Sequence, residues 1–110
     1  MNVVTFFFIA LVWGASAADH YTTYLMLAEP IPGWEVWEAN PIARWLFDTF
    51  GLVPGLIIDS VFTIGIGIWG LRTRMVIEEW KIVWCIVVFF ATWYAVWNNI
   101  NVLYETGVWS

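Results

Sequence analysis

Four side chains able to hold a proton or a metal ion stand in an otherwise apolar chain: Asp19, His20, Glu38 and Asp59. Thr23, Asn40 and Asn98 add a hydroxyl and two amides to that polar set. Several carboxylate oxygens suit a hard cation, and carboxylates with one imidazole suit zinc or copper. His20 alone could ligate the central metal of a chlorophyll- or haem-type pigment, with the abundant aromatics as neighbours. Against metal, His20 is the only histidine, and the only cysteine, Cys85, lies in an apolar run as a packed thiol. His20 also lies about 100° around a helix from Asp19, so the two cannot both point squarely at one centre. The plainer chemistry is a hydrogen-bonded structural cluster, with a carboxyl group protonated by burial. Ion or proton binding comes second. Catalysis comes last, because no phosphate-loop, zinc-finger or nucleophile-elbow motif is present.

The elements that must position these residues follow from hydropathy. Of 110 residues 62% are hydrophobic and only 12% charged. A soluble unit of this size could not hide so much apolar surface. Three spans are predicted, at about 3–27, 54–71 and 82–103, each near the roughly 20 residues that cross a hydrocarbon core. Ala15-Ser16-Ala17 resembles a signal-peptidase site, but no basic residue precedes the apolar run, so this segment reads as the first transmembrane helix. The connection 28–53 opens on turn residues. It then offers Asn40 as an N-cap and Pro41 at the first helical position of a short helix, about 41–50, ended by Gly51 and Pro54. The fold class is therefore an all-α integral membrane protein. It has three transmembrane helices plus a short interfacial or re-entrant helix, and the whole chain is one membrane domain.

Basic residues orient it. Arg72, Arg74 and Lys81 flank the second connection, and only Arg44 lies in the first. This bias predicts the N-terminus inside and the long connection and C-terminus outside, in a prokaryotic cytoplasmic membrane. Four Lys and Arg against nine Asp and Glu exclude a basic nucleic-acid surface. Glu78, Glu79 and Lys81 read as a solvated helix start.

With spans running up, down and up, Asp19, Asp59 and Asn98 fall in the outer half, and Glu38 lies just outside. Each is aligned with small or polar residues: Asp19 with Ala15, Ser16, Thr22 and Thr23; Asp59 with Thr63, Gly67 and Gly70; Asn98 with Ala91, Ala95 and Asn101. Small residues let helices approach closely in lipid, so these polar groups should face one another. Glu38 should fold down over them and close the outer mouth. Trp34, Trp37, Trp45 and Trp109 on the outer side, and Trp69, Trp80 and Trp84 on the inner, read as interface anchors. Phe89, Phe90, Trp93, Tyr94 and Trp97 lie mid-span, and some must face lipid or another protein.

The order Asp19-x-x-x-Thr23, then Glu38-Ala39-Asn40-Pro41 before a short helix, then two spans with asparagine late in the last, resembles a known group. It is that of the small prokaryotic membrane proteins classed as domain of unknown function 5658. The resemblance covers about residues 10–104. This chain departs from the group's pattern at Asp59, where a lysine is common. The resemblance implies a three-span fold and no activity. The expected function is a non-catalytic accessory or structural subunit of a larger membrane complex, surrounded by lipid and other integral subunits. The alternative is an independent ion-, metal- or proton-binding protein built on the outer carboxylate and asparagine cluster.

Overall fold

A computed structural model describes every residue except Met1, Pro30, Glu35, Trp37, Ala39 and Ser110. The described residues form four helices: α1 (Val3–Leu27), α2 (Pro41–Phe50), α3 (Leu52–Arg72) and α4 (Glu78–Glu105). α1, α3 and α4 are long and apolar enough to cross a membrane, and the described residues contain no strand.

Local signals explain the boundaries. Asn2 caps α1 by accepting hydrogen bonds from the Val4 and Thr5 amides. After α1, the Trp34 amide donates to the Ile31 carbonyl across Pro32 and Gly33. Gly33 has φ +81° there, the left-handed residue that such a Pro-Gly turn needs. Asn40 caps α2 through the Ile42 and Ala43 amides, with Pro41 in its first turn. Gly51, at φ +93°, turns the chain straight into α3. Pro54 was expected to end the short helix, yet it lies inside the first turn of α3. First-turn amides have no intrahelical acceptor, so proline is tolerated there. α3 therefore starts two residues before the predicted 54. α4 runs from 78 rather than 82, with Glu78 and Glu79 in its first turn, where the helix dipole favours acids.

The long helices form an open array with α1 in the middle, and the molecule measures 50 × 28 × 17 Å. α1 packs along α4 on one side and α3 on the other, and α2 packs on α3. α3 and α4 form no comparable contact with each other. The pairs Thr5–Glu78 and Thr22–Asn99 make α1 and α4 parallel. Trp13–Thr63 and His20–Asp59 make α1 and α3 antiparallel. Two glycines permit the closest approaches. A Cβ on Gly55 would stand 2.7 Å from the Phe47 ring of α2, and one on Gly67 would stand 2.6 Å from the Trp13 indole of α1.

The α1–α4 seam holds most of the interior. Ile9, Ala15, Thr22, Thr23 and Met26 are buried on α1, and Cys85, Val96, Asn99 and Leu103 on α4. α3 buries only Gly55, and α2 buries nothing. The apolar exterior of these helices suits contact with a lipid bilayer.

Candidate functional site

Asp19 and His20 are neighbours in sequence but reach different helices. The 100° step between them turns Asp19 toward α4 and His20 toward α3. As the expectation that both cannot point squarely at one centre requires, they form two sites, one on each flank of α1.

On the α4 flank the Asn99 amide nitrogen does the joining. Nδ2 lies 3.2 Å from Asp19 Oδ1, 3.0 Å from Thr22 Oγ1 and 3.1 Å from Thr23 Oγ1. Its two hydrogens are shared among three acceptors. Thr22 in turn donates to the Ala18 carbonyl at 2.9 Å. Asn99 and both threonines are buried. The expected partner Asn98 is exposed instead. The face of α4 that meets α1 runs through Cys85, Val96, Asn99 and Leu103, one residue on from the stripe predicted through Asn98.

On the α3 flank His20 uses both ring nitrogens. Nε2 lies 2.7 Å from Asp59 Oδ2, and Nδ1 lies 2.9 Å from Ser60 Oγ. Ser60 Oγ is also 2.8 Å from the Leu56 carbonyl. The His20 side chain is 15% exposed and that of Asp59 39%. Ser60 has a single hydroxyl proton for two acceptors, which fixes two arrangements. If Ser60 donates to Nδ1, His20 is neutral and its Nε2–H donates to the Asp59 carboxylate. If Ser60 donates to the Leu56 carbonyl, Nδ1–H donates to Ser60 and the His20–Asp59 pair carries one more proton. One hydroxyl rotation thus lets the same heavy atoms take up or release a proton.

Hydroxyl, imidazole and carboxylate in this order are also the parts of an activated serine nucleophile. Ser60 lies inside α3, however, where neighbouring amides are committed to the helix, so none is aimed at an oxyanion. The chemistry on offer is proton exchange rather than acyl transfer.

The four-residue metal centre is corrected. Among the described residues no three His, Cys, Asp or Glu side chains gather where they could hold a metal ion. Asp19 faces Asn99, and His20 faces Asp59 and Ser60. Glu38 stands within charge–charge range of Asp19 and His20 but makes its hydrogen bonds elsewhere: its Oε1 accepts from the Asn40 amide at 3.0 Å, and its carbonyl accepts from Arg44 Nε at 2.9 Å. Glu38 and Asn40 thus organise the start of α2. With both nitrogens engaged, His20 has none free for a pigment metal in this arrangement.

A further polar cluster lies at the opposite end and corrects the solvated reading of the α4 start. Lys81 is buried; its Nζ donates to the Thr73 carbonyl and to Glu78 Oε1, each at 2.9 Å. Thr5 Oγ1 donates to Glu78 Oε2. Lys81 is the polar core where α1, α4 and the end of α3 meet. Ser60 and Asn99 are residues that sequence reasoning passed over, and Lys81 is one it placed in solvent. The available signals were the adjacency of Ser60 to Asp59, and the helical spacing of Asn99 with Val96 and Leu103.

Of the expected anchors, Trp34, Trp45, Trp69, Trp80 and Trp84 are exposed. Trp109 is half-buried with its ring edge-on to Tyr104, and Trp37 lies outside the described residues. Compared with family models, curated proteins and solved structures, the chain matches none.

Proposed function

We propose that this protein is a non-catalytic subunit of a larger membrane assembly and docks a helix of another integral subunit along α4. The supporting observation is an aromatic ridge. Phe90, Tyr94 and Trp97 follow one another at i, i+4 and i+7 and are 67%, 76% and 64% exposed. They lie on the side of α4 away from the α1 seam. Spacing of this kind makes a continuous seam for a neighbouring helix, and in lipid such packing drives association. The bias of Arg72, Arg74 and Lys81 over Arg44 supports an N-terminus inside and a C-terminus outside a prokaryotic cytoplasmic membrane. Membership of the domain of unknown function 5658 group belongs to this proposal for the fold alone.

A photo-crosslinking residue at position 94, activated in the native membrane, tests the docking. Crosslinks to one integral membrane protein, absent when the probe stands at Asn2, are expected. Crosslinks to lipid alone would defeat the proposal.

A second reading is favoured by the His20–Asp59–Ser60 arrangement: proton handling without a metal. Proteoliposomes carrying the protein would then pass or buffer protons, and His20→Gln would abolish this with the helices intact. Equal proton flux in both would remove that reading.

A further inference from the structure

Because α3 and α4 both lean on α1 without packing on each other, a cleft of about 720 Å³ opens between them. Ile9, Val12 and Trp13 of α1 form its floor, and Gly67 and Gly70 keep the α3 wall low. At its deep end the Trp13 indole lies over Gly67, and its Nε1 donates to the Thr63 carbonyl at 3.3 Å. At its mouth stand Thr73, Trp80 and Lys81. We infer that this cleft holds one acyl chain of an anionic phospholipid, with the headgroup phosphate at Arg72 and Arg74.

Length selects the occupant. The walls run from Thr63 to Thr73 on α3 and from Trp80 to Val88 on α4. At 1.5 Å per residue this is about 12–15 Å. That is half of a hydrocarbon core of about 30 Å, the depth of one leaflet. A transmembrane helix needs a seam through the whole core; an acyl chain needs one leaflet.

Charge selects the headgroup. Lys81 lines the mouth, and Arg72 and Arg74 flank the lining residue Thr73 in sequence, so three of the four basic residues fall at this end of a chain of formal net charge −5. Lys81 is committed to Glu78 and the Thr73 carbonyl, which leaves exposed Arg72 and Arg74 for phosphate, with Glu79 as the opposing exposed carboxylate. Basic residues at a membrane surface favour anionic lipid. Exposed Trp69, Trp80 and Trp84 surround the same mouth, as indoles do at headgroup level.

The test is native mass spectrometry of the full chain released from vesicles of equal phosphatidylglycerol and phosphatidylcholine. One retained phosphatidylglycerol per chain is expected, with a preference of about thirtyfold, from two arginines at about 1 kcal/mol each at a membrane surface. Gly70→Leu should lose the lipid, because a Cβ there has Ile9 Cδ1 at 3.8 Å and the longer side chain fills the cleft. Arg72→Gln with Arg74→Gln should keep a lipid but erase the preference. Exposed Val87 also lines the cleft, so alkylation of a Cys85→Ala, Val87→Cys chain by an apolar maleimide should slow when phosphatidylglycerol is added. That measurement stands even if Gly70→Leu fails to fold. A wild-type chain that retains no lipid overturns the inference. So does a folded Gly70→Leu chain that keeps its lipid, or Val87→Cys alkylation indifferent to the lipid.

Discussion

His20 Nε2 stands 2.7 Å from Asp59 Oδ2, so an imidazole and a carboxylate from two helices meet between α1 and α3. The contact clasps α3 to α1 near the α2 end of the molecule. Trp13 over Gly67 clasps them again farther down. Asp59→Asn can still accept from His20, and its stability should stay within about 1 kcal/mol of wild type. Asp59→Leu strands a mostly buried imidazole nitrogen and should cost about 1–3 kcal/mol. Thermal unfolding in detergent followed by circular dichroism measures both. Equal loss in the two variants would contradict the hydrogen-bonded role.

Asn99 and Asn98 make a sharper pair, because they are adjacent and chemically identical. Asn99→Leu removes the amide shared by Asp19, Thr22 and Thr23. It should destabilise by about 0.6–1.7 kcal/mol, the range for polar contacts between membrane helices. Asn98→Leu, on the exposed face, should be close to neutral. The same unfolding assay ranks them, and a larger loss for Asn98 would refute the register of α4 on α1.

That register shows where sequence reading stops. The three long helices were legible as apolar stretches. The short one was legible from Asn40, Pro41 and Gly51, because caps and breakers act locally. Which way a long helix faces is a different matter. α1, α3 and α4 are apolar nearly all round, so no apolar stripe marks the inner side, and the choice between Asn98 and Asn99 is settled only by packing. Asp19, Thr23 and Asp59 were recognisable as interior because charge and hydroxyl groups in lipid need partners. Ser60 was missed because a lone helical serine commonly bonds back to its own helix, as this one also does with Leu56. Lys81 was missed because a lysine beside two glutamates at a helix start reads as solvated; its partners are the Thr73 carbonyl across the α3–α4 turn and Glu78, which Thr5, far away in sequence, bonds in turn.

Lys81→Ala should cost about 1–3 kcal/mol, since the Thr73 carbonyl loses its donor and the cavity left by the stem goes unfilled. Glu79→Ala, at an exposed position of the same turn, should be nearly silent. Chemical unfolding of the two variants side by side tests this, and a silent Lys81→Ala would show that the three-way junction does not hold the helix ends together.

Two glycines of α3 predict opposite outcomes. Gly67→Ala puts a Cβ 2.6 Å from the Trp13 ring, so the indole must move and its bond to the Thr63 carbonyl is disturbed. Gly65→Ala meets nothing within 4 Å. It should be neutral or stabilising by up to about 1 kcal/mol, from helix propensity alone. Melting temperatures that fall for Gly67→Ala and hold or rise for Gly65→Ala are expected; the reverse order would place the α1–α3 contact elsewhere.

The measurement that bears most directly on the proposed role is native mass spectrometry of the protein extracted gently from its own membranes. It should be compared with the Tyr94→Ala, Trp97→Ala double variant. Co-purifying integral subunits in fixed ratio are expected with wild type, and their loss from the double variant with the three-helix array intact. A wild-type chain that emerges bare at 12.7 kDa, or as a homo-oligomer carrying extra metal mass, would contradict it.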